Sequence, residues 1–281
     1  MNARMKTPIT YYGGKQTLCA TIINMMPAHK IYCEPFFGGG AVFWSKGKSY
    51  LEVINDKNDR LITFYRAVKD DILFVELYEK VQATLDSESL WRKAKYIYDN
   101  YDPSKHSKTD IAWAVWVTTN MSYASTPSGG WKWCNGTAGS HSGRTFRNYR
   151  EQFTTKIHSR LEEVQISCRD ALDVIRERDT SDTFFYLDPP YPNAEQKHYH
   201  GYKFADLEEL LRLLSTIKGK FILSNYMSSL LKEYIEKNKW SYLVRKMALK
   251  TTNFHNHKAF NSQRMKEEVL VYNYNLEPKL F

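Results

Sequence analysis

The sequence has few cysteines, and their arrangement points to neither disulfides nor a metal. Four occur among 281 residues, no two form a C-x-x-C pair, and the histidines do not stand at the spacing of a zinc site. They are Cys19, Cys33, Cys134 and Cys168. We therefore expect reduced thiols, a cytoplasmic protein and no metal site.

Long apolar runs are also missing. No segment approaches the roughly 20 apolar residues of a transmembrane helix, and the N-terminal MNARMKTPIT lacks the apolar centre of a secretion signal. We therefore expect a protein that neither crosses a membrane nor is secreted. The phosphate-binding patterns G-x-x-x-x-G-K-[ST] and G-x-G-x-x-G are not met either, which argues against a nucleoside triphosphatase.

Acidic residues are outnumbered, 31 against 40 basic residues, which gives a formal net charge of +9. Aromatic residues make up 15% of the chain, and 42% of the residues are hydrophobic. The hydrophobic content excludes a disordered chain. Basic and aromatic residues together favour an acidic partner such as nucleic acid, although the charge alone is equally compatible with simple solubility.

Apolar runs and turns alternate in the order of an α/β protein. A strand at residues 30–33, a glycine turn, a second strand that closes at Asp56 and the helix DRLITFYRAV begin the chain. The alternation resumes after about Arg150 and ends in WSYLVRKMAL and EEVLVYNY, two strands without a helix between them. We predict a mostly parallel Rossmann-like sheet that a terminal antiparallel hairpin closes.

A region without convincing strands separates the two α/β parts. Residues 71–120 fit two or three helices, and the Gly-, Ser- and Thr-rich stretch that follows predicts an ordered loop or hairpin. Long loops inside compact chains usually carry function. We therefore divide the chain into a first part of the sheet domain (1–60), an inserted helical and loop region (61–149) and a second part of the sheet domain (150–281).

Carboxylates close several predicted strands. The turn EPFFGGG follows the first strand, and Asp56, Asp170 and Asp188 end later ones. The carboxyl ends of parallel strands meet at the edge of the sheet where ligands bind. Glu34 and Asp56 would repel a polyphosphate, so the site favours an adenosine ligand with a neutral or cationic tail, such as S-adenosylmethionine.

The turn DPPY follows an apolar strand directly. Asp188 and the carbonyl of Pro189 can accept the two N–H bonds of an exocyclic base amine and so stabilise the charge that develops during its attack. Pro189 and Pro190 fix the direction of that carbonyl, and Tyr191 offers a ring on which a flipped base can stack. D-P-P alone favours a proline-terminated strand with a capping aspartate; the full DPPY after an apolar strand, with the glycine turn upstream, favours catalysis.

Four motifs in this order resemble those of the Dam-like DNA adenine N6-methyltransferases: YYGGK, EPFFGGGAVF, VINDKNDRLI and YLDPPY. SCRD and KEEVLVYNY are similar to the family as well. The resemblance implies a Rossmann-like methyltransferase sheet and transfer of a methyl group from S-adenosylmethionine to N6 of a flipped adenine in a specific duplex sequence. An N4-cytosine methyltransferase is the nearest alternative, and a non-catalytic DNA-binding protein of the same fold is a more distant one.

The resemblance also implies roles for single residues. The catalytic residues would be Asp188, Pro189, Pro190 and Tyr191. The cofactor-binding residues would be Tyr11, Lys15, Glu34, Phe36, Gly38, Gly40, Asp56, Asp170 and Asp188. Among them, Lys15 would lie near the cofactor carboxylate or the mouth of the site. Asp56 would bind the ribose hydroxyls of the cofactor, and Asp170 would contact the amino group of the cofactor's adenine.

The stretch 120–150 mixes bases with aromatics and contains no acid. This is the composition of a nucleic-acid surface, although a solvated loop with a few buried anchors fits too. The predicted DNA contacts are Asn120, Tyr123, Trp131, Lys132, Arg144, Arg147 and Asn148. A second basic loop, residues 250–264, is expected to be solvated or to contact phosphates. Thr10 stands where GATC-methylating relatives usually carry a basic residue, so GATC specificity is not predicted.

The resemblance thus implies double-stranded DNA as the partner and S-adenosylmethionine as the cofactor. We expect the protein to be a monomer or a weak dimer.

Overall fold

The computed structural model describes residues 5–11, 15–127, 129–134, 141–192, 202–248 and 265–276. Its sheet consists of β1 (Ile31–Glu34), β2 (Leu51–Asn55), β3 (Gln165–Ser167), β4 (Thr183–Leu187), β5 (Lys220–Tyr226), β6 (Ser241–Ala248) and β7 (Met265–Tyr272). The strand order is β3-β2-β1-β4-β5-β7-β6. The first five strands in chain order pair in parallel, and β7 runs antiparallel to both β5 and β6. The predicted mixed sheet and its terminal hairpin are confirmed.

The helices are α1 (Cys19–Met25), α2 (Ala41–Ser45), α3 (Asp59–Lys69), α4 (Asp71–Gln82), α5 (Glu88–Asp99), α6 (Lys108–Met121), α7 (Ser142–Gln152), α8 (Thr155–Leu161), α9 (Ala171–Arg178), α10 (Phe204–Leu214) and α11 (Ser229–Asn238). They cover both faces of the sheet, as parallel strands require, since the strands are buried on both sides. Strand β4 shows this plainly: all five of its residues are buried.

The core divides into two clusters, one on each face of the sheet. Phe184 and Tyr186 point into the cluster that also contains residues of α1 to α8. Phe185 and Leu187 point into the cluster built with α9, α10 and α11. Successive residues of a strand face opposite sides, so the continuous apolar run TFFYL serves both clusters. Helices α4 to α7 therefore share one core with the sheet.

Helix α6 is the centre of the helical region. All of its residues from Thr109 to Met121 except Asp110 are buried, because neighbouring helices surround it. Two indole N–H groups are satisfied near it: Trp113 donates to Thr84 at 2.8 Å, and Trp91 donates to Ser122 at 2.9 Å. The second bond anchors the base of the segment that leaves α6.

That segment differs in part from the loop or hairpin expected over residues 120–150. Ser122 and Trp131 form an antiparallel bridge, which agrees with a short hairpin. The chain then forms helix α7, and the expectation of a loop is wrong there. Gly143 and the polar first turn obscured the helical pattern, but His141 caps Arg144 N–H at 3.1 Å and Phe146 packs on Trp116 with ring centroids 5.4 Å apart.

Candidate active site

The glycine turn between β1 and α2 is held in a shape that favours glycine. Gly38 and Gly40 have φ angles of +49° and +63°, a region that other residues enter at a cost. The N–H of Gly38 donates to Oδ2 of Asp56 at 2.8 Å, and the hydroxyl of Tyr65 donates to the carbonyl of Gly38 at 2.8 Å. Asp56 also accepts the N–H of Asn58 at 2.9 Å. The predicted residues Gly38, Gly40 and Asp56 thus lie together.

Tyr11 covers this turn. A Cβ atom placed on Gly39 would lie 2.7 Å from Cβ of Tyr11, and one placed on Gly38 would lie 3.2 Å from its ring. The N-terminal segment therefore packs so closely on the glycine turn that a side chain at Gly39 would not fit. Tyr11 reaches the predicted cofactor site, while residues 12–14 of the YYGGK motif lie outside the described residues.

Three strand ends next to the turn are joined by Asn55, a residue that the sequence did not single out. Its buried amide donates to the carbonyls of Pro35 (3.0 Å) and Arg169 (3.1 Å), and its oxygen accepts the hydroxyl of Ser167 at 2.8 Å. Asp170 follows at the start of α9, where it accepts the N–H of Leu172 at 3.0 Å. Its side chain is half exposed, so it lies at the edge of the site as a helix cap.

The DPPY turn at the end of β4 brings Asp188 against Lys15. The ammonium of Lys15 lies 2.9 Å from Oδ1 of Asp188. The hydroxyl of Tyr191 can donate to the same oxygen at 3.2 Å. The ring centroids of Tyr191 and Tyr226 lie 4.4 Å apart. The ammonium of Lys15 lies 5.0 Å from the ring centroid of Tyr191. The carboxylate keeps 21% exposure, so it is held by protein on one side and open on another.

A second carboxylate, Glu268 of β7, completes this cluster. It lies 3.1 Å from the ammonium of Lys15 and accepts the hydroxyl of Tyr191 at 2.9 Å and that of Ser224. No role for Glu268 follows from the sequence, although it belongs to KEEVLVYNY. The sequence does show an acid within an apolar strand, but it shows two, Glu267 and Glu268. Only the register of the sheet decides which of the two is buried.

Burial dominates the electrostatics of the cluster. It raises the pKa of Asp188, although Lys15 pulls it back down. Burial also raises the pKa of Glu34 to about 8, against the hydrogen bond that it accepts from Tyr32 at 2.6 Å. Burial alone would lower the pKa of Lys15, but attraction to Asp188 and Glu268 outweighs it and the pKa is raised. Two carboxyl groups, those of Asp188 and Glu268, thus face the one ammonium of Lys15, an environment that favours a further cation.

The family model of the D12 class N6 adenine-specific DNA methyltransferases matches residues 11–249 of this chain. The chain belongs to this family. It is an adenine-specific DNA methyltransferase, and the predicted family resemblance and N6 chemistry are confirmed.

Two curated relatives of this adenine methyltransferase are named as type II methyltransferases. The type II methyltransferase M.MjaIII of Methanocaldococcus jannaschii is 28% identical over 246 residues, which cover 79% of this chain and 84% of the relative. The type II methyltransferase M1.LlaDCHI of Lactococcus lactis subsp. cremoris is 43% identical over 60 residues, 21% of either chain.

Solved structures resemble the chain only distantly. A precorrin 8w decarboxylase from Methanobacterium thermoautotrophicum gives a TM-score of 0.41 at 10% identity and covers 95% of both chains. The rRNA methyltransferase AviRa from Streptomyces viridochromogenes gives 0.31 at 9% identity, over 91% of this chain and 82% of its own. These likenesses add nothing to the functional argument.

The predicted DNA contacts of the methyltransferase fall into two groups. Tyr123, Arg144, Arg147 and Asn148 are exposed, and Trp131 and Lys132 are half-buried. Asn120 is buried instead: its oxygen accepts the N–H of Thr10 at 3.1 Å. Asn120 therefore ties the N-terminal segment to α6, and its contact with DNA stays a prediction.

Two further expectations concern metals and membranes. Within the described ranges, no group of three or more His, Cys, Asp or Glu side chains could hold a metal ion. In the same part of the chain, no helix is both long and apolar enough to span a membrane. The basic loop at residues 250–264 lies outside the described residues.

Proposed function

We propose that this methyltransferase uses S-adenosylmethionine to methylate N6 of an adenine flipped out of a specific duplex sequence, with Asp188 as the residue that receives the amine. The carrying observation is the open carboxylate of Asp188 at the end of β4, fixed through Oδ1 by Lys15 and Tyr191. An amine must reach this carboxylate from outside the protein, and a base inside a duplex cannot do so without leaving the stack.

The residues present fit the cofactor. The glycine turn presents backbone without side chains next to Tyr11, where a Cβ at Gly39 would clash, and Asp56 lies beside it with a carboxylate for ribose hydroxyls. The open carboxylate of Asp188 suits a sulfonium and disfavours a phosphate. When bound, S-adenosylmethionine supplies an electrophilic methyl group that leaves behind a neutral thioether.

The chain itself contributes positioning and charge. Asp188 accepts an N–H bond of the target amine and stabilises the positive charge that grows on nitrogen as the new C–N bond forms. The proton that nitrogen sheds afterwards passes to solvent through the open side of the carboxylate. Tyr191 holds the base by stacking, while its hydroxyl keeps the ring fixed. No covalent intermediate with the enzyme is needed.

Target recognition is assigned to the inserted region, residues 61–149, with the hairpin after α6 and the exposed face of α7 against DNA. Tyr123 and Lys132 occupy the hairpin, and Arg144 and Arg147 occupy the helix. The half-buried Trp131 packs against the core and so supports the hairpin. We extend to this chain the restriction–modification role that the type II names of its relatives carry, with the cell's DNA in the cytoplasm as substrate.

The proposal is tested by identifying the methylated base in the product DNA. A random-sequence DNA pool is incubated with the enzyme and S-adenosylmethionine, digested and examined by mass spectrometry, while direct sequencing of a second portion maps the modified positions. We expect N6-methyladenine at one short sequence, and enhanced 2-aminopurine fluorescence when that analogue replaces the target base. Methylated cytosine, or saturable cofactor binding without any methylated base, would overturn the proposal.

A further inference from the structure

Glu268 occupies an unusual position for a charged residue. It pairs with Tyr226 of β5 and Arg245 of β6, so it lies on an inner strand of the sheet, and only 1% of its surface is exposed. Glu267, the preceding residue, points to the other face and is exposed. A buried carboxylate is costly unless donors surround it, so the partners of Glu268 explain why it can be there.

Those partners are also the partners of Asp188. Oε1 of Glu268 lies 3.1 Å from Nζ of Lys15 and 2.9 Å from the hydroxyl of Tyr191. The same two groups lie 2.9 Å and 3.2 Å from Oδ1 of Asp188. Ser224 on β5 donates a third bond to Oε1 of Glu268. Two donors are therefore shared between a fully buried carboxylate and an open one.

We infer that Glu268 is a positioning residue for methyl transfer: it accepts the single hydroxyl proton of Tyr191 and holds the ammonium of Lys15 against Oδ1 of Asp188, which leaves Oδ2 for the target amine. This rests on the proposed role of Asp188. Without the Glu268 carboxylate, Lys15 would pair with Asp188 alone. Tyr191 would lose the hydrogen bond that fixes its ring under the base. Glu268 itself has no exposure through which it could touch the substrate.

A purely structural role would predict something different. A buried ion pair that serves stability alone affects melting, whereas an anchor for Asp188 also affects its ionisation. The groups that act on the pKa of Asp188 are Lys15, which lowers it, Glu268, which raises it, and the hydroxyl of Tyr191, which lowers it. Glu34 and Tyr186 face the same carboxyl group from β1 and β4. Loss of the Glu268 charge therefore lowers the pKa of Asp188.

The experiment compares Glu268→Gln with Glu267→Gln, its exposed neighbour on the same strand. Single-turnover methylation is followed from pH 5 to 9 with a DNA that contains the mapped site and with saturating S-adenosylmethionine. For Glu268→Gln we expect a rate at least about tenfold lower at the optimum, an acid limb at lower pH, and dissociation constants for DNA and cofactor within about threefold of the parent. Glu267→Gln is expected to match the parent throughout.

Tyr191→Phe serves as a second variant, because it keeps the ring and removes only the hydroxyl. In a double-mutant cycle with Glu268→Gln the two losses should not add, since both variants remove the same bond. Additive losses, an unchanged pH profile, or a rate that falls only in proportion to the folded fraction would each overturn the inference. If Asp188→Asn is fully active, the proposed function fails first; if that variant is inactive while Glu268→Gln is normal, only the inference fails. A Glu268→Gln chain that does not fold leaves the Tyr191→Phe pH profile to decide, where an unchanged acid limb counts against it.

Discussion

The ammonium of Lys15 lies 2.9 Å from Oδ1 of Asp188, and the lysine side chain is 7% exposed. One residue precedes α1 and the other follows β4, so the contact forms only when the N-terminal segment folds over the sheet. Burial raises the pKa of Asp188, and Lys15 is the largest influence that lowers it. The lysine thereby keeps the carboxyl group ionised at a pH where burial alone would protonate it.

Lys15→Met is expected to move the acid limb of the rate profile to higher pH. The active form requires ionised Asp188, and loss of the lysine raises the pKa of Asp188 further, so activity disappears earlier as the pH falls. Two buried carboxylates also lose their counter-ion, which destabilises the fold by about 3–5 kcal/mol. Rate–pH profiles and urea unfolding measure both effects. Lys15→Arg keeps the charge and should show a smaller shift of the limb.

Asp188→Asn is expected to lower single-turnover methylation by at least about a hundredfold, the loss typical when one preorganised electrostatic contact to the transition state is removed. DNA affinity should stay within about threefold, because the residue lies apart from the surface that we propose to contact phosphate. Gel-shift titration and product mass spectrometry separate the two quantities. Full activity in this variant would contradict the assigned role of Asp188.

Much of the sheet, together with Asp56 and Asp188, could be predicted because the signals are local. TFFYL is a fully buried strand by composition, and DPPY follows it immediately. The same holds for Asp56, which comes directly after LEVIN. Parallel topology then places the ends of the parallel strands at one edge, so the position of Asp56 and Asp188 at that edge needs no knowledge of the side chains.

The features of the fold and of the site that the sequence does not predict depend on contacts between segments that are distant along the chain. Glu268 acquires meaning only from the register of β7 against β5, which decides that it and not Glu267 faces inward. Asn55 is an ordinary strand residue until three strand ends meet around it. Helix α7 was missed because Ser142 and Gly143 open it, and its stability comes from Phe146 packing on Trp116, a tertiary contact.

Gly40→Ala is expected to destabilise the protein by about 2–4 kcal/mol. Its φ of +63° lies in the left-handed region, and the new Cβ would lie 2.3 Å from the ring of Phe37. Thermal denaturation should show a melting temperature several degrees lower. Gly47→Ala is the control, since no atom of the described residues, apart from its two chain neighbours, lies within 4 Å of its Cβ position; an equal loss there would show that the turn is not responsible.

Glu34→Gln should make stability less dependent on pH. Burial raises the pKa of Glu34 to about 8, above the value of roughly 4.3 of an unfolded chain. The folded state therefore binds more protons between these two values, and its stability falls as the pH rises through that window. The loss is on the order of a few kcal/mol. Urea unfolding at pH 5, 7 and 9 should show the variant gaining relative to the parent as the pH rises, and a constant difference would contradict the shift.

Arg147→Ala is expected to weaken DNA binding about equally for target and non-target sequences and to reduce the slope of log affinity against log salt by about 1. The reason is that Arg147, 59% exposed on α7 and in an (i, i+4) pair with Glu151, is proposed to contact phosphate and so to release a counter-ion. Arg212→Ala is a matched control: Arg212 forms the same type of (i, i+4) pair, with Glu208, on α10, whose apolar residues pack on the opposite face of the sheet. Fluorescence anisotropy at four salt concentrations gives both slopes. If Arg212→Ala lowers the slope as much as Arg147→Ala does, the duplex does not lie on the α7 side of the molecule.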